Sequence, residues 1–288
     1  GQVSNAWSSA NVTGGSTGAV GGLIGYTDGE TNVSSSYATG TVIGGTYAGG
    51  LIGQSNSGSI TQSYATGTVS SSGNAGGLVG SAASTIISRS YATGAVTAGY
   101  AGGLVGLATN ANINQSYATG SVSASVSAGG LVSQAQSTSI SQSYATGSAL
   151  AYGSFGYAGG LIGSTIMSTV DTSYATGAVS APNGSAGGLI GQAYAGTLSN
   201  SYFDIGTTGR NAAIGLNQSF GPMTVTNVVG LTTAQARTQS SYAGWDFNSV
   251  WYQSGDMRPI LRSEAANAGS DGYIPISNLH QLALMGAN

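Results

Sequence analysis

Ser63-Tyr64-Ala65-Thr66-Gly67, followed two residues on by Val69 and preceded by Gly49-Gly50-Leu51-Ile52-Gly53, decides the fold, because the chain writes this sentence again and again. Tyr-Ala-Thr-Gly recurs with its tyrosine at Tyr37, Tyr64, Tyr91, Tyr117, Tyr144 and Tyr174, at steps of 27, 27, 26, 27 and 30 residues. The Gly-Gly-Leu element keeps step, with leucines at Leu23, Leu51, Leu78, Leu104, Leu131, Leu161 and Leu189. Two separate markers on one period of about 27 residues indicate a repeat architecture.

Each unit reads as Gly-Gly-Leu-(Ile/Val)-Gly, a polar stretch, an isoleucine (Ile60, Ile87, Ile113, Ile140), Ser-Tyr-Ala-Thr-Gly and then a valine (Val69, Val96, Val122, Val179). The apolar segments are too short for helices and are punctuated by glycine, so they read as brief strands joined by tight turns. A unit of this size cannot bury its own apolar side. Stacked on like units about 4.8 Å apart it builds a continuous core, which makes the expected fold an all-β parallel β-solenoid of about eight coils. A right-handed coil is expected, since crossovers between parallel strands are right-handed.

Stacking turns each repeated position into a ladder. Ser36, Ser63, Ser90, Ser116, Ser143 and Ser173 would hydrogen-bond along their row. Gly67 and its counterparts are expected to take positive φ at a corner, and the paired glycines to permit close backbone approach. Alternation puts Ser63 and Ala65 on one face and Tyr64 and Thr66 on the other. Small residues suit the inside, so Ser and Ala are assigned inward and Tyr and Thr outward; a buried tyrosine row stays open as the reverse arrangement.

Composition agrees with an ordered repeat rather than a linker. Charged residues are 5% of the 288 and glycines number 50, against about 25% charged and about 7% Gly in ordinary domains. Yet 40% of the chain is hydrophobic on a fixed period. A net charge of −3 provides no basic footprint for nucleic acid. The sequence has no cysteine, so disulfides do not hold the fold, and no apolar run has the length of a membrane span. No charged segment followed by an apolar one opens the chain, and Gly1 falls inside a repeat, so a fragment of a longer polypeptide is expected.

Along the chain, Trp7 holds the tyrosine position of a divergent first copy, with Val12 matching Val42. The 30-residue step from Tyr144 to Tyr174 places extra residues in Leu150-Ala151-Tyr152-Gly153-Ser154-Phe155-Gly156-Tyr157, which should bulge from a corner. The regular repeats are assigned to residues 1–202. Residues 203–262 hold most of the remaining aromatic bulk and four of the five arginines, and are read as a cap over the open end of the solenoid. Within them Thr224 to Val229 is a strand candidate, and Thr232 or Thr233 would cap a short helix over 234–237. Residues 263–288 are read as a linker (263–270) and the start of a following module. There Ser277 would cap a helix carrying Leu279, Leu282 and Met285 on one face.

The Gly-Gly-Leu-(Val/Ile)-Gly element with Ser-Tyr-Ala-Thr-Gly-x-Val resembles the GLUG repeat. Gly230-Leu231-Thr232-Thr233-Ala234-Gln235 with Trp245-Asp246-Phe247 and Val250-Trp251 resembles the segment that closes GLUG arrays, and 276–288 is similar to the start of a module in filamentous-haemagglutinin-like adhesins. The resemblance implies a secreted bacterial surface protein, a bacterial cell-surface location and a scaffold role. It also occurs in IgA-cleaving metallopeptidases, but no His-Glu-x-x-His motif is present here.

Chemistry is sparse. Between residues 31 and 200 the only charged residues are Arg89 and Asp171, so no carboxylate pair can do acid–base work on a polysaccharide. The single histidine, His280, lies far from any repeated acid, which excludes a Ser-His-Asp set or a zinc site. Asp246 reads as a turn residue and Asp28 with Glu30 as solvated acids. No enzyme activity and no cofactor are expected. The expected role is a rigid stalk or adhesion segment whose partner is a cell-surface receptor or glycan, with further copies of the chain as another partner. A second role is a carbohydrate-binding module using outward tyrosines and the ring-bearing insert Tyr152, Phe155 and Tyr157. Ice binding by the threonine ladder is the third.

Overall fold

The computed structural model describes residues 1–219, 221–265 and 279–285, with the side chains of 279 and 280 outside that description. The repeats form a parallel β-solenoid of about eight turns, built from three sheets that run its length. The long sheet carries strands such as Ile52–Thr61, Val79–Ser88 and Ile162–Asp171. The tyrosine sheet has nine strands, mostly two-residue Tyr-Ala pairs such as Tyr64–Ala65. The valine sheet begins at the recurring valine position, for instance Val69–Ser70, and includes Asn74–Gly76. Register is residue on like residue: Tyr64 pairs with Tyr37 and Tyr91, Val69 with Val42 and Val96, Ile60 with Ile87. A 27-residue period is therefore one full turn of the coil.

The interior is assembled from the inward rows. Leu51, Leu78, Leu104, Leu131, Leu161 and Leu189 are all fully buried, as are Ala65, Ala92, Ala118, Ala145 and Ala175. Each buried leucine contributes about 2 kcal/mol by removal of apolar area from water. Ser63 and its counterparts are buried too. They form the expected ladder through backbone amides: Ser36 N donates to Ser63 Oγ at 3.1 Å, Ser63 N to Ser90 Oγ at 3.1 Å, and so on to Ser173 N on Ser201 Oγ at 3.2 Å. Each hydroxyl in turn donates to the carbonyl two residues back, as Ser63 Oγ does to Thr61 O at 2.9 Å. Donor and acceptor capacity of a buried hydroxyl are both used, which removes its desolvation cost.

The corner is built differently from the expectation for Gly67. Gly67 does not have a left-handed backbone; a Cβ there would lie 1.8 Å from Gly40 O, so it is glycine for close coil-to-coil approach. The left-handed residue is the one before each serine: Gln62 (φ 50°), Arg89 (50°), Gln115 (46°), Gln142 (48°), Thr172 (48°) and Asn200 (44°). Asn and polar residues tolerate this region better than branched apolar ones. The paired glycines do act by close approach: a Cβ on Gly50 would sit 2.0 Å from Gly77 O.

Pairing continues past the expected boundary at 202. Ile214 stacks on Ile190, Thr224 on Thr197 and Val229 on Tyr202, so 205–231 form a degenerate last coil. Phe203 takes the alanine position and, with Met223, is buried in the same core. These two large side chains fill the lumen where it ends. The short helix Ile205–Thr208 replaces the Thr-Gly corner, with Asp204 accepting from Gly206 N and Thr207 N. Beyond it the strand Thr224–Thr226 and a 3₁₀ turn Gln235–Arg237, with Thr232 Oγ1 accepting from Gln235 N, occupy the places read for a strand and a capped helix.

The aromatic segment after Leu231 is not a lid on the open end. It folds back along the flank of the solenoid and covers the outer edge of the tyrosine sheet, where Trp245, Trp251, Tyr242, Ile260 and Leu261 are buried. The physical reason is that the last coil already closes the lumen, whereas outward tyrosines offer an apolar wall with unsatisfied hydroxyls. A helix spans Leu279–Leu284. Its buried side chain is Leu284, while Leu282 and Met285 are exposed rather than inward. The proposed cap Ser277 and residues 266–270 of the linker lie outside the described residues.

Candidate functional site: the tyrosine wall and its cover

The tyrosine rings point away from the lumen, as alternation with the buried alanines requires. They stack face to face up the wall: Tyr37–Tyr64 at 4.8 Å, Tyr64–Tyr91 at 4.9 Å, Tyr117–Tyr144 at 4.9 Å and Tyr144–Tyr174 at 5.0 Å, with planes within 8°. Trp7 continues the stack at 6.2 Å from Tyr37 and is 62% exposed. Each ring face inside the stack is therefore occupied by its neighbours, and only ring edges are presented outward.

Half of this wall is sealed. Tyr37, Tyr64 and Tyr91 are half-buried, whereas Tyr117, Tyr144, Tyr174 and Tyr202 are buried under the returning segment. Trp251 lies 6.4 Å from Tyr144 and 5.9 Å from Tyr174, and stacks on Trp245 at 4.3 Å. The hydroxyls are met one by one: Tyr144 donates to Glu264 Oε1 at 2.8 Å, Tyr174 to Pro259 O at 2.6 Å and Tyr202 to Ala243 O at 3.1 Å. Glu264 is a hub, since its carboxylate also bonds the Tyr117 hydroxyl and accepts from Leu261 N at 2.8 Å. Burial, then the nearby Glu264 charge, push the Tyr117 and Tyr144 hydroxyls well above the usual tyrosine range. Arg258 pairs with buried Asp204 at 2.5 Å and clamps the segment to the last coil. Burial raises the Asp204 pKa, but hydrogen bonds led by Arg258 outweigh it and hold the carboxyl below its ordinary value.

Of the insert residues, Tyr152 (50% exposed) and Phe155 (84%) project from the corner. Tyr157 does not join them: it sits in the valine sheet, paired with Ser127 and Ser185. Exposed Leu150 and Val126 flank the bulge. Among the described residues no group of three or more His, Cys, Asp or Glu can hold a metal. Asp171 is taken up by Ser199 Oγ at 2.7 Å, Asn200 Nδ2 at 2.8 Å and Thr172 Oγ1 at 2.7 Å. Asp246 accepts from the Asn248 and Ser249 amides in a turn, as its sequence context suggests.

Sequence reasoning missed Glu264 and the clefts beside the returning segment. A lone acid 120 residues from its tyrosine partner leaves no local signal.

A sequence model described as the GLUG motif matches residues 16–43, 44–70 and 97–123. The chain carries GLUG repeats. Each matched stretch corresponds to about one coil, and the coils between and after them follow the same register, so the GLUG unit is one turn of this solenoid. Searches of curated proteins and of solved structures return no match.

Proposed function

We propose that this GLUG-repeat region is a non-catalytic stalk and adhesion segment of a secreted bacterial surface protein, holding or forming surfaces for attachment to a receptor or glycan on another cell or on matrix. The observation that carries the reading is the unbroken stacking of leucine, serine, alanine and tyrosine ladders, each residue on its like. Stacking of this kind makes a rod of about 40 Å from eight turns at about 4.8 Å each. Low charge, paired hydroxyls and the absence of an acid–base pair along the coils support a structural role.

Two experiments test the two halves of this proposal. Small-angle scattering is expected to give an elongated, rigid particle; a flexible-chain profile would remove the stalk. Beads coated with the chain are expected to adhere to cell monolayers more than bare beads; equal adhesion would remove the attachment role. The alternative of a carbohydrate module on the tyrosine wall is disfavoured by the occupied ring faces. Rings open for a sugar to stack on lie instead outside the stack, at Tyr152, Phe155, Tyr26 and Tyr194, or at its end, at Trp7. The threonine row is exposed at Thr39, Thr66 and Thr93 but interleaved with tyrosine edges, which works against an ice-ordering plane.

A further inference from the structure

The degenerate last coil is paired on one side only. Ile214–Asn217 and Thr224–Thr226 bond to Ile190–Ser199 of the coil before, and Val229–Leu231 to Tyr202–Asp204. Among the described residues no strand pairs with their other side, because the chain that follows turns along the flank. The edge of the valine sheet is closed differently, by Arg210 Nε donating to Val179 O at 2.9 Å. The opening is therefore confined to the long and tyrosine sheets. Leu198 and Tyr202 are buried, whereas the residues stacked beneath them, Val225 and Val229, are 47% and 41% exposed.

Natural sheet edges are blunted against pairing by lysine, by other charges, by bulges or by proline within the strand. This edge has no such charge or proline. The chain lacks lysine, residues 211–231 contain no charged residue, and Pro222 lies between the edge strands rather than in one. An uncharged edge meets a copy of itself without repulsion.

The central strand also has the symmetry that self-pairing needs. Asn200 N donates to Thr226 O at 3.1 Å, so Thr226 is turned to the preceding coil. Alternation along a parallel ladder then turns the N–H and C=O of Val225 to the free side. Thr224-Val225-Thr226 reads the same in both directions. A two-fold axis through Val225 sets the strand antiparallel to its own copy, with Thr224 facing the partner's Thr226 and the two valines exchanging both backbone hydrogen bonds.

We propose that two copies of this chain join tail to tail through the edge of the last coil, with Val225 on the two-fold axis. The inference goes beyond the stalk reading and does not need it, since a chain that stays single would still be a rod. The end of one coil is a small surface, so a weak, reversible dimer is expected.

Sedimentation equilibrium of the intact chain, from low to several hundred micromolar, tests this. The mass should rise from one copy to two and stop there, and amide exchange at Val225 should slow as concentration rises. Val225→Lys and Val225→Glu should each weaken association at least tenfold, because like charges then face one another across the axis. Mixing the two variants should restore it, because the facing charges are then opposite. A single-copy mass throughout overturns the inference. Growth beyond two copies overturns the two-fold assignment in favour of open-ended head-to-tail stacking. So does a mixture no better than its parts when both variants keep the parental circular dichroism. Should either variant unfold, the parent decides alone, and exchange at Val225 that ignores concentration overturns the proposal.

Discussion

Tyr64 and Tyr144 stand at the same position of the same motif, yet the first keeps its edge in solvent and the second is fully buried. Their local pairing is the same, tyrosine on tyrosine at 4.9–5.0 Å. Among the described residues the difference comes chiefly from 231–265, which lie over the coils of Tyr117 to Tyr202 and not over those of Tyr37 and Tyr64. The comparison separates two sources of stability. The lumen is set by the repeat and is the same in both halves; the flank is set by a non-repeating segment and exists only in one.

The largest effect should come from the shared lumen. Leu104→Asp places an unpaired charge in the leucine row and should cost at least about 4 kcal/mol, unfolding the neighbouring coils. Leu51→Asp in the bare half should do much the same, as read by thermal circular dichroism. Unchanged melting in either variant would contradict the inward assignment of that row.

The flank is the next largest. Trp251→Ala removes a fully buried ring packed on Tyr144, Tyr174 and Trp245 and should cost about 3–5 kcal/mol. Hydrogen exchange should then rise at Tyr117, Tyr144, Tyr174 and Tyr202 while Tyr37 and Tyr64 keep their rates. A uniform rise along all coils would show that flank and lumen are one cooperative unit.

Proton linkage should divide the halves as well. Asp204 has a folded pKa below its unfolded one, so its contribution is present above about pH 4 and is lost as pH falls through the lower, folded value. Tyr144 and Tyr174 have folded pKa values raised above 10, so the stability linked to them is complete below pH 10 and drains away above it. Exchange of the covered coils should therefore rise at both extremes, Asp204→Asn should shrink the acid limb while Asp171 and Asp246, also held below the ordinary carboxyl value, keep part of it, and absorbance at about 295 nm should show the buried tyrosines ionising late.

The repeat itself was legible because one residue type per position fixes both period and register, and a solenoid is little more than that information made three-dimensional. Leu78, Ala65 and Ser63 could be placed inward from alternation and size alone. The corner misled because glycine serves two ends, positive φ and close approach, which a sequence does not distinguish; Gly67 needs the second, and Gln62 takes the first. The flank was illegible for a different reason. Nothing near Glu264 or Trp251 signals that their partners lie more than 70 residues away, and the wall they seal repeats the motif found in coils they do not touch.

The smallest and sharpest test exchanges a single oxygen. Tyr144→Phe keeps the ring in its stack and takes one donor from Glu264, whose carboxylate is buried, so a loss of about 1–2 kcal/mol is expected. Tyr64→Phe removes the same atom from a ring whose edge reaches water and should fall within about 0.5 kcal/mol of the parent. Combining Tyr144→Phe with Glu264→Gln should recover part of the loss, because the neutral amide tolerates the missing donor better than a carboxylate does. Equal costs for the two tyrosines would mean that the hydroxyl row acts along the ladder and not against its cover, and the division between the bare and sealed halves would then rest on ring burial alone.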